Sequence, residues 1–393
     1  MSAASPLATD SDPQDWDEEA FSDRMRDAFA QALLGIGRVN IALFGRTGAG
    51  KSTLINTVFG DQVAKTGIGR PVTEGMNYYE HPKGILGLYD SEGFELGASS
   101  KVLVEKLTEI VRESRKSKIE DQIHAVWYCV RADDRRFEDS QADFVRALAN
   151  MGLPVMIVFT QVEYDRDNRP KEDARKLKEY VLSLNLPLRP KNEVYLTNAA
   201  EESNSRNPTP VHGVKQLLDA TFLVVPEGVA QALTASQHYD EQRKEEASRN
   251  IIKEMSAAAT AAAVLPIPLS DSALIMPIQI IMMARIATSW DLPVDGSALT
   301  GLATRALFAQ GIGQLAKSVV RGLLSWVPGI GAAVTVAKAG VAGTMTWAVG
   351  EAWLLVCGKL SDKDSASILG SVKSDEITDL FMQAYKNNAK RKR

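Results

Sequence analysis

The stretch Val39–Phe59, VNIALFGRTGAGKSTLINTVF, decides the fold. Its opening, VNIALF, is an apolar run that predicts a buried strand; its close, STLINTVF, has the spacing of a helix. Between them Gly45–Ser52, GRTGAGKS, fits the pattern GxxxxGK[ST]. A strand that enters a Gly-rich loop, and a helix that leaves it, turn backbone N–H groups and a helix N-terminus toward one point. That arrangement holds a phosphate chain. On this reading Gly45, Arg46, Thr47, Gly48, Ala49, Gly50, Lys51, Ser52 and Thr53 form the cradle. Lys51 reaches the β- and γ-phosphates, and the Ser52 hydroxyl ligates Mg²⁺. A plain Gly-rich turn is the competing reading, which the flanking strand and helix disfavour.

Outward from this loop, apolar runs alternate with helical patterns. Strands are predicted at Val39–Phe44, Met76–Glu80, Ile85–Tyr89, Ile123–Val130, Val155–Thr160 and Val194–Thr197. Helices are predicted at Ser52–Phe59, Lys101–Lys116, Ser140–Asn150, Glu172–Leu184 and Val214–Phe222. The alternation predicts an α/β domain, a mostly parallel sheet with helices on both faces. The short link His81–Gly84 predicts a hairpin, hence one antiparallel edge. ILGLYD runs into DSEG, Asp90–Gly93. A carboxylate at a strand end holds Mg²⁺ through water, and the Gly93 N–H senses the γ-phosphate; a surface turn is the bland alternative. TGIGRPVTEG, Thr66–Gly75, falls where a switch loop belongs. Thr73 is the candidate hydroxyl that closes over Mg²⁺, against an ordinary loop threonine.

GRTGAGKS, Thr73 and DSEG, in this order, resemble the Ras-like GTPases of the translation-factor-related class. The resemblance implies binding of GTP and GDP with Mg²⁺ and hydrolysis of GTP. It gives Lys51, Thr73 and Gly93 catalytic roles and places Ser52, Thr73 and Asp90 at the metal. The family reads guanine with [NT]KxD, and PVMIVFTQVEYD puts Thr160, Gln161 and Glu163 at those positions. Glutamine replaces the lysine and glutamate the aspartate, with Asp165 as a substitute carboxylate. TNAA, Thr197–Ala200, sets Asn198 and Ala199 in the second base-contacting loop. These departures keep a P-loop ATP-binding protein open as an alternative. Phe94 stands where the family often has a water-orienting glutamine, which implies slow hydrolysis aided by a partner or by self-association. Arg70 matches the arginine that stabilises transition-state charge in heterotrimeric G-protein α subunits; a solvated switch arginine is the other reading.

The chain divides into a disordered acidic N-terminus (1–16), an amphipathic helix (17–36), a GTPase domain (37–228), a connector helix (229–253), a hydrophobic helical domain (254–360), and an amphipathic segment with a basic tail (361–393). The helix 17–36 carries Phe21, Met25, Phe29 and Leu33 at helical spacing and leads toward the main domain. Residues 254–360 resemble a helical, apolar domain of uncertain function that follows GTPase domains in bacterial proteins. They carry AAATAAAVLPIPLSDSALIMPIQIIMMARIA and VPGIGAAVTVAKAGVAG. Pro266, Pro268, Pro277 and Pro328 interrupt the apolar runs. A soluble bundle, with Met276, Met282 and Met283 as core filler, competes with hairpins that enter or lie on a membrane. In the second case the basic tail touches anionic lipid, and the protein acts on membranes as dynamins and immunity GTPases do.

Composition bounds the rest. A net charge of −4, with 45% hydrophobic and 24% charged residues among 393, argues against nucleic-acid binding. Cys129 and Cys357 lie on different domains and predict no disulfide and a reducing compartment. The first residues lack a secretory pattern, so the expected location is the cytosol, with contact at the inner membrane face left open. The histidines show no metal-ligand spacing.

Overall fold

The computed structural model describes residues 18–60, 70–73, 76–91, 99–201, 209–263, 271–292 and 331–361, with positions 303, 379, 383–384 and 387–388. The acidic N-terminus, most of Thr66–Gly75, Gly93, Phe94 and the basic tail lie outside them. The chain forms two compact units: Ile36–Asp240, and Met1–Gly35 together with Glu241–Arg393.

In the first unit β1 (Val39–Phe44) leads to α2 (Lys51–Phe59), the helix Glu18–Gly35 that precedes it being α1. There follow β2 (Arg70–Thr73), β3 (Met76–Glu80), β4 (Leu86–Asp90), α3 (Ser99–Ser114), β5 (Ala125–Arg131), α4 (Asp139–Asn150), β6 (Val155–Thr160), α5 (Glu172–Ser183), β7 (Val194–Leu196), α6 (Val214–Val224) and α7 (Glu227–Ser236). The sheet runs β2-β3-β4-β1-β5-β6-β7. The strands from β4 to β7 pair in parallel, whereas β3 is antiparallel to both β2 and β4. This is the α/β architecture the alternation predicts, with the hairpin at the predicted edge. Register sets Leu43 beside Asp90, Phe44 beside Tyr128 and Arg131 beside Thr160. The C-terminal ends of four strands thus meet on one side of the sheet.

Period-two alternation sends side chains to two cores. Ile41, Leu43, Trp127, Cys129 and Val158 pack with α2, α6 and α7 through Leu54, Val58, Leu217 and Leu233. Phe44, Tyr128, Ile157 and Phe159 pack on the opposite face with Leu107, Phe144, Leu148 and Leu177. Trp127 stacks on Phe59 at 5.9 Å, and its indole N–H donates to Thr221 Oγ1 at 3.1 Å, so the buried donor is satisfied.

Two segments differ from the sequence reading. Residues 70–73 form a strand inside the expected switch loop, pairing Arg70 with Tyr78 and Thr73 with Met76 across an irregularity after Pro71. Proline has no N–H to give, so it fits an outer strand, and the surrounding glycines conceal the β-branched Val72 and Thr73. The segment 229–253 is two helices, α7 and α8 (Glu241–Ala262), rather than one connector. The Gln237 side chain makes the break: its amide donates to the Asp240 carbonyl at 2.9 Å, and its Oε1 accepts the Asp240 N–H at 2.7 Å. Val229, Ala232 and Leu233 of α7 belong to the first unit's core.

The second unit gathers α1, α8, α9 (Asp271–Ser289) and α10 (Gly331–Ser361). Although α1 precedes the strands, its Met25 and Phe29 pack with Ile252, Met282, Met283, Ile286 and Trp353 of this unit. An apolar stripe alone names no partner, so helical spacing does not assign this helix to the unit that buries it. Three buried side-chain donors find partners here: Trp353 Nε1 donates to the Met283 carbonyl at 2.9 Å, Trp290 Nε1 to Ser248 Oγ at 3.1 Å, and Gln279 Nε2 to Thr346 Oγ1 at 3.3 Å. Glycines let α10 approach closely, since a Cβ at Gly350 would stand 2.6 Å from Ile252. Gly340–Ser361 is long and apolar enough to cross a membrane by length and composition, with mean hydropathy 1.2, and 61% of that window is buried within the fold.

Near the start of β5, His124 Nδ1 accepts the Asn40 N–H at 2.9 Å and Nε2 donates to the Ile119 carbonyl at 2.8 Å. Burial holds its pKa below the ordinary 6.5, and His212 shifts the same way for the same reason. The unfolded chain therefore takes up protons before the native one. Stability is full above pH 6.5 and declines as pH falls through that value. The urea midpoint is expected to be lower at about pH 5.5 than at about pH 7.5. His124→Gln should reduce that difference; an unchanged pH dependence in the variant would remove His124 as its source.

Candidate functional site

The site begins where β1 meets its loop. Gly45 has φ 138°, and a Cβ there would stand 2.3 Å from the Cys129 carbonyl oxygen on β5. Only glycine passes so close to a neighbouring backbone. Gly48 and Gly50 also sit at positive φ, 78° and 74°. The Ala49 N–H closes the turn on the Arg46 carbonyl at 3.1 Å, and α2 opens with Leu54 N–H to Gly50 O at 3.0 Å. Lys51 is buried and folds back over the loop, its Nζ donating to Gly45 O at 2.7 Å and Arg46 O at 3.3 Å. Thr47, Ser52 and Thr53 are exposed, and the first turn of α2 carries no acidic residue. Its N–H groups and partial positive charge are open to an anion.

The next strands wall this cradle. Thr160 Oγ1 donates to Ala49 O at 2.8 Å, and Gln161, in the left-handed region at φ 53°, donates from Nε2 to Gly48 O at 3.2 Å. Asp90 ends β4 beside Leu43, where Ser91 hydrogen-bonds the Leu43 carbonyl through both N–H and Oγ at 3.1 Å. Burial pushes the Cys129 thiol up to about 12; the nearby Lys51 opposes this and Asp90 adds to it. The thiol is buried, with Lys51 and Asp90 both near enough to act on its charge. Arg46 pairs with Glu138 at 3.4 Å, at the N-terminus of α4.

The donor set suits a triphosphate with a divalent cation: amides and an ammonium for phosphate oxygens, the Ser52 hydroxyl and the Asp90 carboxylate for the ion. Among the described residues no group of three His, Cys, Asp or Glu side chains gathers to hold a metal unaided. Thr73 ends β2 and Arg70 begins it.

The residues that the sequence assigns to the base are engaged with the protein itself. Glu163 pairs with Lys171, whose N–H also donates to the Glu163 carbonyl at 2.9 Å. Asp165 caps its own turn, accepting the Asp167 and Arg169 N–H groups at 2.9 and 3.0 Å; its carboxyl lies below the usual range, chiefly through the Arg169 bond. Asn198 donates its amide to the carbonyls of Ala200, Thr209 and Pro210 at 2.8, 3.1 and 3.2 Å. Ala199 O accepts Thr57 Oγ1 from α2 at 2.6 Å. Sequence reasoning missed the Cys129 carbonyl and the Thr57, Gln161 and Lys171 contacts. Of these only the first has a sequence signal, the glycine at 45.

Gly45→Ala should destabilise the first unit by about 2–4 kcal/mol. Gly48→Ala, whose Cβ enters open space, should cost about 1 kcal/mol from its backbone angle alone. Urea unfolding of both variants tests the order; equal costs would remove the Cys129 crossing as the constraint.

Residues 40–161 match the family described as 50S ribosome-binding GTPase, and residues 230–390 match a domain of unknown function (DUF697). A comparison with curated proteins finds no match. Solved structures with similarity include a bacterial selenocysteine-specific elongation factor, EF-Sec, at 16% identity, 48% of this chain, 28% of that one and a TM-score of 0.30. The chain thus spans well under a third of that factor's length. Toc33 from Arabidopsis thaliana matches at 15% identity over 55% of this chain and 92% of its own, TM-score 0.33. The ADP-ribosylation-factor-like, small COPII coat GTPase SAR1 of Encephalitozoon cuniculi, in complex with GDP, matches at 14%, over 57% and 89%, TM-score 0.29. Taken with the P-loop and sheet order above, the two family matches identify a Ras-like P-loop GTPase joined to a C-terminal helical domain of unknown function.

Proposed function

We propose that this GTPase holds GTP on the Gly45–Thr53 loop, where Ser52 and Asp90 would hold Mg²⁺, and couples its nucleotide state to the helical unit. The observation that carries this is the loop itself. Lys51 already lies over the Gly45 and Arg46 carbonyls, and the open end of α2 stands beside it. Water attacks the γ-phosphorus, the bond to the β–γ bridging oxygen breaks, and GDP and phosphate leave. Lys51 would neutralise charge on the transferring group, Gly93 is assigned to a γ-oxygen, and Thr73 would join Ser52 and Asp90 in holding an ion that supplies Lewis-acid stabilisation. Arg70 is a candidate for transition-state charge. Phe94 offers no amide to orient water, so turnover is slow until a partner or a second copy supplies that group.

Guanine preference rests on Thr160 and Gln161 bracing the loop and on Glu163 accepting base N–H groups, with Asn198 and Ala199 framing the base. The ties on Glu163 and Asn198 favour a second reading in which adenine is also accepted. Membrane contact through 254–360 and the basic tail is a further reading, favoured by the hydropathy of Gly340–Ser361 and opposed by its burial among α8 and α9. Liposome flotation of the whole chain separates the soluble bundle from that alternative.

Lys51→Ala should weaken GTP binding by at least about 100-fold, near 2.7 kcal/mol. Calorimetry with GTP and with ATP in the presence of Mg²⁺ checks both claims. Undiminished affinity in the variant would contradict the phosphate site, and tighter ATP binding in the native protein would overturn the guanine assignment.

A further inference from the structure

The chain replaces the expected base-reading aspartate with Glu163, one methylene longer. A longer side chain at an unchanged backbone position carries its carboxylate too far forward unless something draws it back. The structure has such an anchor. The segment after β6 returns on itself: Tyr164 bridges to Pro170, Asp165 fixes the turn between them, and Tyr164 stacks on His212 at 4.0 Å. His212 is held in turn by the Val162 carbonyl at 2.8 Å. This return brings Lys171 alongside Glu163. The Lys171 N–H donates to the Glu163 carbonyl at 2.9 Å, and its ammonium binds Glu163 Oε2. The carboxylate is therefore held by its own loop, at 33% exposure, through Oε2.

We propose that Lys171 is a positioning residue for base specificity. It retracts the Glu163 side chain so that the carboxylate meets the N–H edge of guanine, including the 2-amino group, at the depth a shorter aspartate would reach. This rests on the reading of Glu163 as the base acceptor. Asp165 is tied to its own turn instead: Oδ1 accepts the Asp167 and Arg169 N–H groups, and Oδ2 stands 3.8 Å from the Arg169 guanidinium. A carboxylate with one oxygen on an ammonium keeps lone pairs for two further donors.

The test is the ratio of affinities for GTP and inosine triphosphate, which lacks the 2-amino group, measured by calorimetry with Mg²⁺. The native chain should favour GTP. Lys171→Met should lower that ratio about five-fold while leaving affinity for inosine triphosphate little changed. Lys171→Arg should restore it. In a Glu163→Asp background, where retraction is no longer needed, Lys171→Met should have no effect on the ratio. Thermal unfolding of each variant confirms that the exposed substitutions leave the fold intact. An unchanged or raised ratio in Lys171→Met, with the native ratio well above one, overturns the role of Lys171 alone. A native ratio near one removes Glu163 from the base site, and the proposal with it. Loss of all nucleotide binding in native protein would instead contradict the phosphate site.

Discussion

The passage of Gly45 over the Cys129 carbonyl is the constraint on which the site depends. β1 lies inside the sheet, between β4 and β5. The loop leaving it therefore has strand backbone on both sides and no room for a side chain at its first turn. That crowding sets the loop down against β5, within reach of Thr160 on the next strand and beside Asp90 on the other flank. A larger residue at 45 would lift the loop away from all three at once. The same closeness buries the Cys129 thiol, and that burial raises its pKa.

The two sides of the pocket are prepared differently. On the proposed phosphate side, Lys51, Thr160 and Gln161 brace the loop through its carbonyls at Gly45, Ala49 and Gly48. On the base side, Asn198 and Asp165 serve the backbone, and Glu163 is shared with a lysine. Under the proposed assignment, selectivity among purines would rest on one ion pair on a braced turn. Affinity for the triphosphate belongs to a rigid loop.

Much of this was legible in the residues. GRTGAGKS specified loop, strand and helix together because glycine placement and apolar periodicity agree there. VMIVFT and VNIALF announced buried parallel strands through unbroken apolar runs. Other features were not legible, for identifiable reasons. The strand at 70–73 is short, carries a proline and pairs on one side only. The break at Gln237–Asp240 is made by a side-chain amide that mimics main-chain hydrogen bonding, so the polar helical pattern runs through it unmarked. The allegiance of α1 depends on contacts far away in sequence. The pairing of Glu163 with Lys171 requires the intervening turn to fold back, which spacing alone does not reveal.

The outer strands of the sheet bear on how copies of this domain can meet. One border is β2, where Pro71 presents no N–H and the ladder is irregular; the other is β7, three residues long. Neither offers a continuous row of donors and acceptors on which a foreign strand could be templated. Sheet-to-sheet growth through these described borders is disfavoured. Pairing between copies would have to use side-chain surfaces, where no backbone ladder fixes the register.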